Sequence, residues 1–416
     1  MSTAYERGVA VIGLGYIGLP TSAVLADHGV RVHGVDIDPS VVEAVNRGAV
    51  HIIEPDLDEV VRRVVGFGRL SATAELVPAD VYVVAVPTPF MGDHQPDLRH
   101  VEHATREIAR LLQGGELIIL ESTCPPGSTA LMSQWIAEER PDLRLPHEHP
   151  ESPDVHLAHC PERVLPGRTL EELVTNDRVV GGLTPECARR AAELYEVFVK
   201  GEISLTDAST AEMAKLVENT FRDVNIAFAN ELAEVCDHLG LDVWQVIELA
   251  NHHPRVQVLQ PGPGVGGHCI AVDPWFIAAA APEHAQLIRQ ARETNDARPQ
   301  QIVDSVMAAA QEGVTVACLG LAFKPDVDDV RESPAVTIVQ RLAESRPDLQ
   351  LLAVEPYAET LPAGLASYDN VVLSDLADAL ERSTVVVLLV HHAVFVQVDP
   401  SALQGKHVID TRGIWR

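Results

Sequence analysis

Cys269 closes the run Gly264-Val265-Gly266-Gly267-His268-Cys269. Glycines leave a backbone that another molecule can approach closely, and a thiol placed just after them can be presented to that molecule. A cysteine taken singly is more often a small buried apolar residue. Flanking glycines pack a core poorly, so this one reads as a covalent nucleophile. Lys215, Asn219 and Arg222 fall at i, i+4 and i+7, a spacing that puts an ammonium, an amide and a guanidinium on one helix face. The plainer reading of that face, with Glu218 and Asp223 beside it, is an exposed charged surface. His253 and Arg255, in Asn251-His252-His253-Pro254-Arg255, lie in the loop before the cysteine run. The chain carries 31 basic and 60 acidic side chains, a formal net charge of −29. Such a field repels nucleic acid and anionic membrane, so neither is an expected partner. An anionic substrate would need local cations such as these. The acidity otherwise serves as a solvated surface that aids solubility.

A second constellation is Gly13-Leu14-Gly15-Tyr16-Ile17-Gly18, which follows the apolar run Val9 to Ile12 and opens a helical pattern. The first glycine permits a tight turn, the second lets a pyrophosphate reach the backbone, and the third lets the helix pack against the sheet. Amide groups and the helix dipole then meet the phosphates. Asp36 lies 23 residues after Gly13, at the end of a second strand pattern, where an acid bonds the adenosine ribose hydroxyls. It also disfavours a 2′-phosphate, so NAD is expected rather than NADP. Gly320-Leu321-Ala322-Phe323-Lys324 also follows a strand pattern but lacks the three glycines. A second NAD is not expected there, and Lys324 suits a different phosphate group at a strand's carboxyl end.

These residues need elements to hold them. Val9–Ile12, 30–35, 81–86 and Leu117–Leu120 read as buried parallel strands alternating with helices, 17–28 among them. The Pro-, His- and acid-rich segment 141–159 reads as a loop. Residues 209–250 carry helix-period apolar positions, including Met213, Leu216, Val217, Phe221 and Val224, and predict a long helix followed by a second. After the Gly/Pro-dense loop 260–267, helical patterns resume at Asp273-Pro274. Strand patterns return at 314–319, 351–354, 371–373, 385–390 and 407–409. The fold class predicted is therefore α/β: two Rossmann-like doubly wound domains, 1–205 and 306–416, joined by a central helical domain, 206–305. The two outer domains suggest a structural repeat. The six cysteines are scattered without zinc-like spacing, so reduced thiols and no metal are expected. The first residues lack a signal-peptide pattern and no apolar run is long enough to span a bilayer, so the expected location is cytoplasmic.

The chain resembles the UDP-glucose/GDP-mannose dehydrogenase family over essentially its whole length. The residues that carry this are 11–20, Val86-Pro87-Thr88-Pro89, Cys160-Pro161-Glu162-Arg163, 211–219, Phe221-Arg222-Asp223-Val224-Asn225, 262–275, Leu321-Ala322-Phe323-Lys324-Pro325 and Arg331-Glu332-Ser333-Pro334. The UDP-glucose members usually carry a Ser before the cysteine and Pro-Lys-Asp after it. His268 and Ala271-Val272-Asp273 depart from that, toward a UDP-N-acetylhexosamine substrate. The choice of the manno sugar, UDP-N-acetyl-D-mannosamine, rests on resemblance alone. The resemblance implies a four-electron oxidation at C6 with two NAD used in turn, passing through a Cys269 thiohemiacetal and thioester. It implies that Lys215 is the proton donor and acceptor, that Asn219 holds a water or oxyanion, that Glu162 is a base for thioester hydrolysis, and that Asp273 orients that chemistry. Arg163, Val164, Lys215, Asn219, Arg222, His253, Arg255, Gly266 and Lys324 would contact the UDP-sugar. Gly13, Gly15, Tyr16, Ile17, Gly18, Asp36, Thr88, Thr129 and Arg331 would contact NAD, Arg331 across a subunit contact. A homodimer through the central helices is implied too.

Two other classes remain open on the residues. A two-electron sugar-nucleotide oxidoreductase needs no covalent trap, and counting NADH per sugar separates it. A non-catalytic NAD-binding sensor needs no Lys215, Asn219 and Cys269 together.

Overall fold

Val9–Ile12 (β1) is a four-residue apolar run, and the glycine turn ends it. It pairs in parallel with Val32–Val35 (β2) on one side. Leu70–Thr73 (β3) extends that side beyond β2, and Val81–Val84 (β4) pairs β1 on the other. Leu117–Leu120 (β5), His156–His159 (β6), Arg178–Gly182 (β7) and Ile203–Asp207 (β8) continue the sheet, giving the order β8-β7-β6-β5-β4-β1-β2-β3. Strands 3-2-1-4-5-6 in that order form a doubly wound sheet, whose chain reverses direction across the sheet between β1 and β4. Helices cover both faces, so the strands read as nearly unbroken apolar stretches. A computed structural model of the chain describes residues 5–415, apart from 93, 166, 268 and 269.

The segment 141–159 differs from expectation. Residues 156–159 are β6, paired in parallel with β5 from Leu117↔His156 to Leu120↔His159. A four-residue strand that begins and ends in histidine is easily lost in a Pro- and acid-rich window, and only the neighbouring strand reveals it. The turns that the composition predicted occupy 141–155. β7 runs antiparallel to β6, with Ala158↔Gly182 and His159↔Gly181 in register.

The chain divides into two compact units, 1–217 and 218–416. The boundary falls inside the helix Ala208–Leu239, which realises the long helix expected from the periodicity. The second unit continues with helices Val243–Asn251, Asp273–Ala280 and Gln286–Ala309. Its own sheet holds Thr315–Leu319 (β9), Gln350–Val354 (β10), Val371–Leu373 (β11), Val385–Leu388 (β12) and His407–Asp410 (β13), in the order β11-β10-β9-β12-β13. All its pairings are parallel. This repeats the 3-2-1-4-5 arrangement of the first unit, so the repeat suggested by the strand patterns is present in the topology. Each unit buries its own apolar clusters.

Candidate functional site

The glycine turn sits at the carboxyl end of β1, beside the reversal point where open α/β sheets bind ligands. A Cβ on Gly18 would lie 1.8 Å from the Gly13 carbonyl oxygen, so the helix Gly18–Asp27 can start there only on a glycine. Gly15 is different: a Cβ there meets no described atom within 4 Å. Nothing in the described packing requires that glycine, which fits a role toward a bound pyrophosphate. Tyr16 is exposed and Ile17 is the N-cap residue. Asp36 follows β2 directly. Its Oδ2 accepts the Leu14 N–H at 2.9 Å and its Oδ1 the Asp38 N–H at 2.9 Å. Each oxygen keeps a second acceptor position, which fits ribose hydroxyls beside the turn.

The loops after β4 and β5 are stitched together. Thr88 donates to the Thr123 carbonyl at 2.6 Å, and Ser122 to that of Val86 at 2.7 Å. Thr129 is buried at the start of the helix Ser128–Glu139. Its N–H and hydroxyl both donate to Glu212, at 2.8 and 2.6 Å, and Gly127 N–H donates to the other oxygen of the same carboxylate. The Thr129 hydroxyl, expected on NAD, gives its proton to Glu212, which caps that helix from another element, and keeps its acceptor positions. Cys124, His159 and Glu212 bring ligand-type atoms within 4.8 Å of one another. The Glu212 oxygens already serve this cap. Burial holds His159 down to about 3, so its ring is neutral.

At the carboxyl ends of β5 and β6 lies a buried charged cluster. Glu162 lies three residues past the end of β6, and Arg178 opens β7. Their side chains meet there, Arg178 Nη2 to Glu162 Oε2 at 2.9 Å, with side-chain exposures of 4% and 7%. Glu162 Oε1 accepts the Arg163 N–H at 2.7 Å. The guanidinium carbon of Arg178 lies 4.7 Å from the Tyr195 ring centroid and 5.4 Å from that of Phe198. Tyr195 donates its hydroxyl to Glu121 at 2.7 Å. Burial pushes Glu121 up to about 7; Arg178 opposes the shift and Glu162 adds to it. Glu121, Arg178 and Tyr195 escaped the sequence reading. The available signal was an acid closing the apolar run Leu-Ile-Ile-Leu-Glu. The Arg163 side chain donates to the Asp177 carbonyl, and Val164 packs against the core, so both are engaged within the first unit.

In the second unit Asn219 donates to Asp273 Oδ2 at 2.6 Å, which unites two predicted site residues. Asp273 is buried as the first residue of its helix. Lys215 stands one turn before Asn219 on the 208–239 helix. Arg222, His253 and Arg255 are exposed. Asp223 is not on the exposed charged face: it is buried in an ion pair with Arg292, and burial pushes it up to about 6 against that partner. Asn295 donates to Asp223 at 2.8 Å, Asn230 to Asn295 at 2.9 Å, and Gly262 N–H to Asn230 at 2.9 Å. A polar ladder therefore anchors the start of the 262–267 loop, and sequence gave no sign of it.

Gly266 is packed closely against its own chain. A Cβ there would lie 2.3 Å from the Glu332 carbonyl oxygen and 2.5 Å from Pro334 Cδ. The chain's own backbone already demands that glycine. Arg331 pairs with Asp329 two residues away, at 2.7 Å. Lys324 follows the turn at the end of β9, with Nζ 5.6 Å from the Phe323 ring centroid. Glu355, just after β10, accepts the Leu321 and Ala322 N–H groups at 2.7 and 3.0 Å, the place Asp36 holds in the first unit. His268 and Cys269 lie outside the described residues. The other five cysteines are buried. Burial pushes the Cys160 thiol up to about 11 and that of Cys318 to about 12, both unsuited to nucleophilic attack. Among the described residues no helix is long and apolar enough to cross a membrane.

Comparison with known proteins matches three models of one family, UDP-glucose/GDP-mannose dehydrogenase: its NAD binding domain at 7–199, its central domain at 209–297 and its UDP binding domain at 317–416. An NDP-N-acetyl-D-galactosaminuronic acid dehydrogenase of Ralstonia nicotianae is 54% identical, over 98% of this chain and 96% of its own. A UDP-N-acetyl-D-mannosamine dehydrogenase of Yersinia pestis is 52% identical over 98% and 99%. The structure of UDP-D-ManNAc dehydrogenase from Pyrococcus horikoshii superimposes with a TM-score of 0.85 at 39% identity, covering 98% of this chain and 96% of that one.

Proposed function

The chain belongs to the UDP-glucose/GDP-mannose dehydrogenase family, and from that premise we propose that it oxidises C6 of UDP-N-acetyl-D-mannosamine from alcohol to carboxylate. The observation that carries the substrate class is identity above 50%, over 98% of the chain, to relatives named for N-acetylated hexosamines. Galactosamine is the second reading, because relatives named for N-acetyl-D-galactosaminuronic acid reach 54%.

NAD is the cofactor, and when bound it accepts one hydride in each of two oxidations. The chain's own residues do the rest. The Gly13–Gly18 turn and Asp36 hold the dinucleotide. Lys215 takes the alcohol proton and steadies the developing oxyanion. Asn219, fixed by Asp273, holds that oxygen or a water. Cys269 captures the aldehyde, since a tethered thiohemiacetal presents its hydride better than a free hydrate does. Glu162 removes a proton from the water that releases the acid. Arg222, His253, Arg255 and Lys324 gather the cations that a UDP-sugar requires in an acidic protein. The working division is NAD binding by 1–205, a central domain at 206–305 and UDP binding by 306–416.

The pairing surface follows from the long helix. Val217, Phe221, Phe228, Val235 and Leu239 are all exposed on it. At about 100° per residue they fall within about 40° of one another, opposite Lys215 and Asn219. Such an apolar stripe suits a second copy of the chain, hence a homodimer. A cytoplasmic location fits its nucleotide substrates.

Incubation with NAD and UDP-N-acetyl derivatives of mannosamine, galactosamine and glucosamine, together with UDP-glucose, tests the reading. Mass spectrometry should find a uronate from the manno compound, with two NADH per sugar. One NADH per sugar would establish a two-electron enzyme, and preference for another sugar would reassign the substrate.

A further inference from the structure

We propose that Arg178 is a positioning residue for release of the product acid, acting through Glu162. The inference rests on the reading of Glu162 as the hydrolytic base. Three features of the first unit point to it. Glu162, three residues past the end of β6, meets Arg178 at the start of β7 with both side chains almost wholly buried, so the pair belongs to the interior rather than to a surface encounter. Both carboxylate oxygens of Glu162 are held, one by Arg178 and one by the Arg163 N–H, which fixes the plane of the carboxylate. The guanidinium is itself held, beside the Tyr195 and Phe198 rings and with Nη1 3.7 Å from Cys160 Sγ. Arginine's flat, stacking fork cannot be matched by lysine. A buried carboxylate that lost this partner would be left uncompensated and would turn away or take a proton.

In the step concerned, the water oxygen bonds to the acyl carbon and the C–S bond breaks. Cys269 leaves as thiolate with the bonding electron pair. One water proton passes to Glu162, and the new acid ionises its remaining proton to solvent. A base held in one plane can take that proton in each turnover. Both hydride transfers precede this step, so disturbing Arg178 should leave them running and stall the acyl-enzyme.

The experiment compares Arg178→Gln, Arg178→Lys, Glu162→Gln and the double variant E162Q/R178Q, in the full chain with NAD and UDP-N-acetyl-D-mannosamine. Rapid-quench counting of NADH and intact mass follow each. The expected result for both Arg178 variants is a burst of two NADH per site, a slow phase down by roughly 10²-fold, an acyl adduct on the protein, and a little-changed KM for NAD. The double variant should be no slower than E162Q. If R178Q does not fold, R178K, which keeps the buried charge, decides alone. An acyl level equal to the parent's despite a lower kcat, or a double variant slower by the product of the two single effects, would overturn the proposal. If E162Q accumulates adduct and the Arg178 variants do not, only Arg178 loses its role. If E162Q accumulates none, the base assignment falls and takes the Arg178 proposal with it.

Discussion

The side-chain amide of Asn219 donates to Asp273 at 2.6 Å although 54 residues separate them. The bond ties the long helix to the start of the helix that follows Cys269 by four residues. It fixes which way the Asn219 carbonyl oxygen and amide face.

Asp273→Ala should therefore act through Asn219. A hydrogen bond to a charged group contributes about 1.5–3 kcal/mol, so kcat should drop by roughly 10- to 10²-fold with a smaller change in KM. In a double-mutant cycle with Asn219→Ala the losses should not add. Additive losses would show that the two residues work separately.

Asp36→Ala should narrow the preference for NAD over NADP, because the acid both accepts from the ribose and repels a 2′-phosphate. Its backbone contacts to Leu14 and Asp38 make some loss of turn order part of the outcome. The ratio of kcat/KM for the two cofactors is the measurement, and an unchanged ratio removes the assignment.

Glu121 sets a pH dependence of stability. Its folded-state value of about 7 lies above the 4.5 of an unperturbed glutamate, so the folded protein holds a proton that the unfolded chain has released. Its contribution is full below about 4.5 and is lost as pH rises through 7. Glu121→Gln keeps a partner for Tyr195 and should flatten the fall of Tm between pH 5 and 8. Parallel curves for parent and variant would mean that Glu121 is ionised throughout.

Cys269→Ala should abolish uronate formation and spare NAD binding, which belongs to the Gly13–Gly18 turn. Cys269→Ser should stall with a sugar adduct detectable by intact mass, since a serine ester is a poorer acyl donor to water. Cys124→Ser should be nearly silent in chemistry, Cys124 being buried. Uronate made by Cys269→Ala at the parent rate would rule out the thioester route.

Phe228→Glu should convert a dimer to monomer at micromolar concentration in sedimentation, because it sets a charge in the middle of the exposed stripe on the 208–239 helix, where Phe228 is 55% exposed. A variant that sediments with the parent would place the pairing surface elsewhere.

The amino-acid sequence by itself determined whatever depends on neighbours along the chain. The strand, glycine turn and helix from Val9 to Asp27 follow from a few adjacent residues, as does the shared face of Lys215 and Asn219. The doubly wound class followed from the alternation of strand and helix patterns. Tertiary structure decided the partners. Arg178 meets Glu162 across 16 residues, Tyr195 meets Glu121 across 74, and Thr129 meets Glu212 across 83. The packing of separate helices, strands and loops creates these pairs, and it leaves no periodic trace in the sequence. Gly266 shows the same limit: its motif marks a close approach, but only the folded chain shows that Glu332 and Pro334 are what approach it. Charge alone placed Asp223 on the surface. Its pairing with Arg292 let both be buried, because an ion pair with further hydrogen bonds offsets desolvation that neither charge could bear singly.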